Sequence, residues 1–306
     1  MGLSLSHTGK SLPVGTEVCE RSMHHGGDPQ LCQVYRRVPA AALWERIADA
    51  QCNDTHFEVV FLEHLPDFFD ASANGSINLS RFVRNPFDKH PDVDFGNLRT
   101  VASIAIRFLD NVVDLCAFPL KSQKTSVQAA RRLGLGLTGV ADAFQMLGLQ
   151  YGSQAGVNLI AEIARAIRDV SFETSIDLAR EKGTFKSFDL YKVASHSVVL
   201  DLSHKLQDAI AEHGIRNGQL LSIEPDPLVD KLSNLSALGI APSTEANAED
   251  LFVIARTMQS YMDGPVMFHI PMSTKPTSET IQLMLRQIWE EALPLCALYQ
   301  KKSHSK

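Results

Sequence analysis

The sequence predicts an α/β protein with a largely parallel sheet, in which helix outweighs strand. Three observations predict it. Short β-branched or aromatic runs alternate along the chain with longer stretches whose apolar residues recur at helical spacing. The composition is ordinary globular, with 44% apolar and 21% charged residues. The length of 306 residues suits one large domain or two small ones.

Residues 1–37 are polar and weakly patterned, with a turn signal at Gly26, Gly27, Asp28 and Pro29, and read as a loose arm. The expected domain covers 38–300, and 301–306 is a solvated tail. Pro39 suits the start of a helix in which Leu43, Trp44 and Ile47 share one side. Residues 58–62 read as a buried strand. Residues 77–83 alternate apolar and polar, a second strand, after the Asn74-Gly75 turn signal. Over 96–116 a helix carries the stripe Leu98, Val101, Ile104, Ala105, Phe108, Val112 and Leu115, and Pro119 stops it. Helices follow over 123–147 and 154–182, the latter ending at Gly183. A shorter helix spans 201–213. Strand 220–223 ends at Pro225 and Pro227. Helix 249–263, strand 266–270, helix 277–292 and strand 295–299 complete the order.

Charge and composition exclude several function classes. Lys plus Arg number 29 against 35 Asp plus Glu, a net charge of −6. Such a chain is a poor clamp for a nucleic-acid backbone, which needs clustered cations. No apolar run reaches the ~18 residues of a membrane helix. Cys19, Cys32, Cys52, Cys116 and Cys296 are scattered and odd in number, so no disulfide framework is expected and a reducing cytoplasm is the default. Residues 1–10 lack the build of a signal peptide, and the formal myristoylation pattern at Gly2 is read as chance.

Short motifs identify no active site. Gly134 to Gly139 spells G-x-G-x-x-G, but a helical stretch precedes it where a dinucleotide site needs a strand. It is read as a glycine-rich turn packed in the core. Cys19, His24, His25 and Cys32 match no standard zinc spacing. Cys116 and Cys296 are read as inert core thiols, and His269 as a hydrogen-bonded core histidine.

Longer strings are more specific. They are Gly75 to Val83, Val101 to Leu120, Ala130 to Asp142 and Ala209 to Asn217. Leu43 to Ile47, Val59 to Glu63, Met262 to Pro271 and Leu295 to Tyr299 extend the match. Together they resemble the C-terminal half of the adenosylcobalamin-dependent (class II) ribonucleotide reductase large chain. The resemblance implies about half of a ten-stranded α/β barrel, with Gly134 to Gly139 as a helix-associated turn. In the family, a cysteine on a central loop becomes a thiyl radical, and ribonucleotides are reduced to 2′-deoxyribonucleotides.

This chain departs from the family at three places. The loop with the radical Cys and its Glu falls between the strands at 59–63 and 77–83, yet residues 64–75 contain neither residue type. The family's redox cysteine before the Gly-Ser-Ile-Asn-Leu string falls at Ser72, and a hydroxyl forms no disulfide. The family's substrate-phosphate turn, Pro-Thr-Gly-Thr, reads Pro225, Asp226, Pro227, Leu228 here. Pro227 removes an N–H donor and Asp226 adds negative charge, and both oppose phosphate binding. Retained Arg107, Asp110, Asn111 and Asp114 are read as scaffold.

The expectation is a reductase-like pseudoenzyme in the cytoplasm, with a binding or interaction role and no cofactor of its own. A split-reductase subunit completed by a partner chain, or a decaying duplicate, are the alternatives. Half a barrel exposes two sheet edges and an interior face expected to be apolar. A homodimer, a reductase-like partner chain, or helices folded across the opening would cover them.

Overall fold

The computed structural model describes residues 15–19, 30–34, 38–53, 59–60, 72–118, 120–236, 239–242, 247–272, 276–291, 293 and 295–300. The Gly26–Pro29 turn signal and His24 and His25 lie outside them.

Part of the arm is ordered into a ladder rather than loose. β1 (Gly15–Cys19) and β2 (Gln30–Val34) pair antiparallel, with Gly15 opposite Val34. Thr16, Val18 and Val34 supply β-branched residues that overall polarity obscured. α1 (Ala40–Asn53) follows Pro39, whose carbonyl accepts from Leu43 N–H at 3.1 Å. Then come β3 (Val59–Val60) and β4 (Ala73–Asn78). The strand expected over 77–83 is displaced toward the N-terminus. It ends because the Asn78 side chain accepts hydrogen bonds from Ser80 N–H and Ser80 Oγ, at 3.1 and 2.6 Å. That caps a 3₁₀ turn, Leu79–Phe82. β5 (Val83–Arg84) pairs antiparallel with β6 (Asp92–Val93).

α2 (Phe95–Leu115) is capped by Asp94, which accepts from Asn97 N–H at 3.0 Å. It has two apolar faces. Leu98, Ala102, Ile106, Leu109 and Val113 are buried, whereas Ile104, Phe108 and Leu115 of the expected stripe are exposed. α3 (Lys121–Ala130) ends at Arg131, which adopts φ +47°.

The largest departure from expectation comes next. Leu133–Thr138, read as a glycine turn within a helix over 123–147, is a fully buried parallel strand, β7. It leads through Gly139, at φ +68°, into α4 (Val140–Met146). α5 (Gln154–Lys182) starts at Ser153, whose Oγ accepts from Gly156 N–H, and stops at Gly183 as expected. Short helices α6 (Leu190–Ala194) and α7 (Ser197–Leu200) precede α8 (His204–His213). α9 (Pro227–Leu232), α10 (Ala248–Gln259), β8 (Met267–Met272), α11 (Ser278–Glu290) and β9 (Leu295–Gln300) complete the chain.

One curved set of strands organises these elements. β4 lies parallel to β7, Ala73 beside Leu133. Leu133 N–H and Leu135 N–H donate to the carbonyls of Gln219 and Leu220, so residues 219–223 run beside β7. Ile223 N–H donates to Pro265 O and Ile223 O accepts from Met267 N–H, which joins β8. β8 is parallel to β9, and β3 closes that side antiparallel, with Val59 opposite Cys296. The order is therefore β4, β7, 219–223, β8, β9, β3. Among the described residues it does not close on itself, and the architecture is a partial barrel.

The hydrophobic core lies on the helix side of this sheet. Ile77, Leu133, Leu135, Leu137, Ile223, Phe268 and Ile270 are buried with the inward residues of α2, α5 and α10. Phe252 of α10 meets Phe268 edge-on, with centroids 5.9 Å apart. Alternation sends the intervening residues to the other face. That face carries Ser72, Asn74, Ser76, Gly134, Gly136, Ser222 and Glu224. The interior face of β4, β7 and residues 222–224 is thus polar and glycine-rich, where an apolar one was expected. The reason is strand phase: Ile77, Leu133, Leu135, Leu137 and Ile223 fall on the helix side.

Candidate functional site

The polar face has one continuous hydrogen-bonded element. Ser72 Oγ donates to Asn74 Oδ1 at 2.7 Å, and Asn74 Nδ2 donates to Glu224 Oε2 at 2.6 Å. The two glycines of β7 make this possible. A Cβ on Gly134 would lie 2.3 Å from both Asn74 Oδ1 and Ser222 Oγ. A Cβ on Gly136 would lie 2.4 Å from Ser222 O. Bare backbone on β7 therefore lets side chains of its two neighbours close over it. Burial pushes the Glu224 carboxyl above its ordinary pKa, and the Asn74 hydrogen bond only partly opposes this. Ser222 is 1% exposed, and its hydroxyl has no hydrogen-bond partner.

The turn after residue 223 closes on itself. Asp226 Oδ1 accepts from Leu228 N–H at 2.8 Å, and Pro227 occupies the first turn of α9. Its own carboxylate holds the N–H that an anion would need, and its charge repels one. Just beyond, Asp230 is 3% exposed. It accepts from Thr138 Oγ1 of β7, and its Oδ2 accepts from Gly239 N–H at 2.8 Å. Asp230 is thus an anchor of α9 to the sheet. Leu228 is exposed.

On the helix side, Asp110 is fully buried and receives Arg131, Asn217 and Lys182. Asn217 in turn accepts from Ser175 Oγ at 3.0 Å. This network ties α2, α5, the α3 terminus and the 219–223 strand together. Asp114 joins the same network by accepting from Arg131 Nη1 at 2.6 Å. Arg107 pairs twice with Glu181, at 2.6 and 2.7 Å, on the outer surface.

Sequence reasoning placed Ser72 beside the interior but missed Asn74, Ser222 and Glu224. The available signal was the Leu-x-Leu-x-Leu alternation of 133–137, which marks β7 and fixes the strand phase. Of the cysteines expected in the core, Cys116 is exposed just past α2, where an apolar neighbourhood in sequence did not become an apolar environment. The Cys296 side chain lies outside the described residues. His269 is half-buried and has an interaction partner. Among the described residues, no three His, Cys, Asp or Glu side chains converge as metal ligands. Nor is any helix there long and apolar enough to cross a membrane.

An open parallel sheet faced with helices, with a polar interior face and a strand-to-helix turn at its rim, defines a barrel-type α/β domain. Residues 72–246 match the family described as ribonucleotide reductase, barrel domain, and the chain belongs to that family. It is 29% identical over 269 residues to the ribonucleoside-diphosphate reductase subunit alpha of Chlamydia pneumoniae, covering 72% of this chain and 25% of that one. It is 27% identical over 258 residues to the vitamin B12-dependent ribonucleoside-diphosphate reductase of Mycobacterium tuberculosis (strain CDC 1551 / Oshkosh), covering 77% and 33%. A vitamin B12-dependent enzyme of Thermoplasma acidophilum is 28% identical over 183 residues, covering 53% and 23%. The chain thus spans about a quarter to a third of the length of these relatives.

The cobalamin that such relatives are named for serves radical chemistry, which in the resembling family passes to a thiol. The described part of the interior face offers hydroxyls, an amide and a carboxyl at 72, 74, 222 and 224, and residues 64–75 contain no cysteine. These residues do not fit that chemistry.

Proposed function

We propose that this chain is a reductase-derived binding protein that does not reduce ribonucleotides by itself and uses no cobalamin. One observation carries the reading: Ser72, at the position of the family's redox cysteine, is a hydroxyl engaged with Asn74. Reducing a ribose 2′-carbon consumes two electrons, which a thiol pair supplies by forming a disulfide. Ser72 supplies none. The Asp226-capped turn supports the same reading, because it disfavours the phosphates of a nucleotide substrate.

The test is direct. The purified chain is incubated with ribonucleoside diphosphates, adenosylcobalamin and a dithiol, and 2′-deoxynucleotides are quantified. None is expected. Product above the no-protein control overturns the proposal.

A second reading, a subunit completed by a reductase-like partner chain, draws on β4. Among the described residues this strand has a ladder only on its β7 side, so it has an edge to offer a partner strand. A partner that restores deoxynucleotide formation on mixing would establish this reading over the first.

A further inference from the structure

The interior face has lost features that would hold an anion and has gained acceptors. We infer that the oxygens that close over Gly134, from Asn74 and Ser222, together with the neighbouring Glu224 carboxyl, bind a primary ammonium group. The inference rests on the reading above that the phosphate turn no longer serves a nucleotide.

Three observations converge there. The first is Glu224, whose carboxyl is half-buried and receives one neutral amide from Asn74. A carboxylate drawn out of water without a counter-charge favours a cation beside it. The second is Ser222, two residues earlier on the same face of the same strand, with a buried hydroxyl that has no partner. Buried polar groups are normally satisfied, so this hydroxyl marks a missing donor or acceptor. The third is that Ser222 Oγ and Asn74 Oδ1 flank one point, each 2.3 Å from the place of the absent Gly134 Cβ. Asn74 Oδ1 has accepted one hydrogen bond, from Ser72, and keeps a second lone pair.

The chemistry of the occupant follows. An ammonium carries three N–H donors and no acceptor. Glu224, Asn74 Oδ1 and Ser222 Oγ are three oxygens able to accept. An anion finds the Glu224 carboxyl and, along the same turn, the Asp226 carboxylate. Other titratable groups near this face are Asp230, engaged with Thr138 and Gly239, and Arg132 and His269 on the neighbouring strands, each of which has an interaction partner. The group that opposes the burial of Glu224 is Asn74, not a cation.

The ammonium can come from a small diamine or from a lysine side chain of another protein. The experiment uses the full chain with ¹³C-labelled glutamate side chains and follows the Glu224 carboxyl by NMR. Putrescine and a blocked lysine peptide are titrated separately, with inorganic phosphate and a ribonucleoside diphosphate as anionic probes. Expected is a saturable shift of the Glu224 signal with an amine, and none with either anion. The tighter amine identifies the source. By titration calorimetry, which does not depend on the Glu224 signal, Glu224→Gln should weaken binding at least tenfold and Ser222→Ala several-fold. Asp226→Asn, which keeps the helix cap but removes the charge, should weaken it modestly. Glu212→Gln, on the outer face of α8, should leave it unchanged. Because the chain is acidic overall, an equal calorimetric affinity in Glu224→Gln and the parent means surface attraction and overturns the inference. Absence of an amine response, or preferential binding of an anion at Glu224, overturns it too. The variants are checked by circular dichroism, and Ser222→Ala, which removes one oxygen, keeps the test valid if Glu224→Gln folds poorly. None of these readouts depends on deoxynucleotide formation, so the reductase assay fails or succeeds separately.

Discussion

Arg131 and Asp110 are locked together behind the sheet: Arg131 Nε donates to Asp110 Oδ1 at 3.0 Å, and Arg131 Nη2 donates to both the carboxylate and the Asp110 carbonyl. Arg131 reaches this position because it ends α3 in the left-handed region, at φ +47°. The turn directs its side chain back across α2 and starts β7 two residues later. A strained backbone residue, a buried ion pair and the entry to the central strand are thus one construction.

Asp110→Ala should be among the most damaging single substitutions in the chain. It leaves Arg131 with only the half-exposed Asp114 as an ion-pair partner and deprives Asn217 and Lys182 of an acceptor. Breaking one side of a buried pair costs about 3–5 kcal/mol. Urea unfolding followed by circular dichroism should show that loss, or no cooperative transition. By contrast Arg107→Ala, which breaks an exposed pair with Glu181, should cost no more than about 1 kcal/mol.

The same pair sets an acid limit. Burial alone would raise the Asp110 carboxyl, but Arg131, Asn217 and Lys182 outweigh it and hold the pKa below the usual carboxylate range. The folded state therefore releases this proton more readily than the unfolded chain, whose aspartates titrate near about 3.9. The stabilisation is complete above that value and disappears as pH falls through the folded pKa. Asp110→Asn should flatten the stability profile below about pH 4 relative to the parent. An unchanged acid limb would show that other carboxylates set it.

Gly134 and Gly136 should tolerate alanine differently. At Gly134 the new methyl meets the ends of two side chains, Asn74 and Ser222, which can turn aside. At Gly136 it meets backbone, Ser222 O and Ile223 Cα, which cannot. Overpacking typically costs about 1–3 kcal/mol, and Gly136→Ala should fall at or above the top of that range, with Gly134→Ala below it. Thermal melts of the two variants check the order.

Those glycines also show what the sequence conveys and what it conceals. α5 was legible to the residue at its C-terminus, because a 29-residue helix with a terminal glycine leaves both period and stop signal in the chain. The segment before Pro225 and β8 were legible as apolar runs. β7 was not. Half its positions are Gly or Thr, so it resembles a turn, while Leu133, Leu135 and Leu137 carry the strand period unnoticed. Once β7 is taken for a turn, the sheet phase is lost, and with it the polar character of the interior face. Ser72 was reachable through family resemblance. Glu224 was not, because its significance depends on Asn74, 150 residues away, brought beside it by a strand that composition hid.

Glu224 should make the protein less stable as pH rises, opposite in sign to Asp110. Its folded pKa is raised by burial, so between the unfolded value of about 4.3 and the folded value the native state binds more proton than the unfolded chain. Stability is greatest below that interval and declines through it. Asp263 acts in the same direction: burial pushes its carboxyl up against the opposing pull of the Leu221 N–H, His196 and the Leu220 N–H. Glu224→Gln should remove part of the decline and leave the part due to Asp263. If unfolding free energies measured across this range show the same slope in parent and variant, Glu224 is not desolvated in solution, and a cation is already beside it or water reaches it freely.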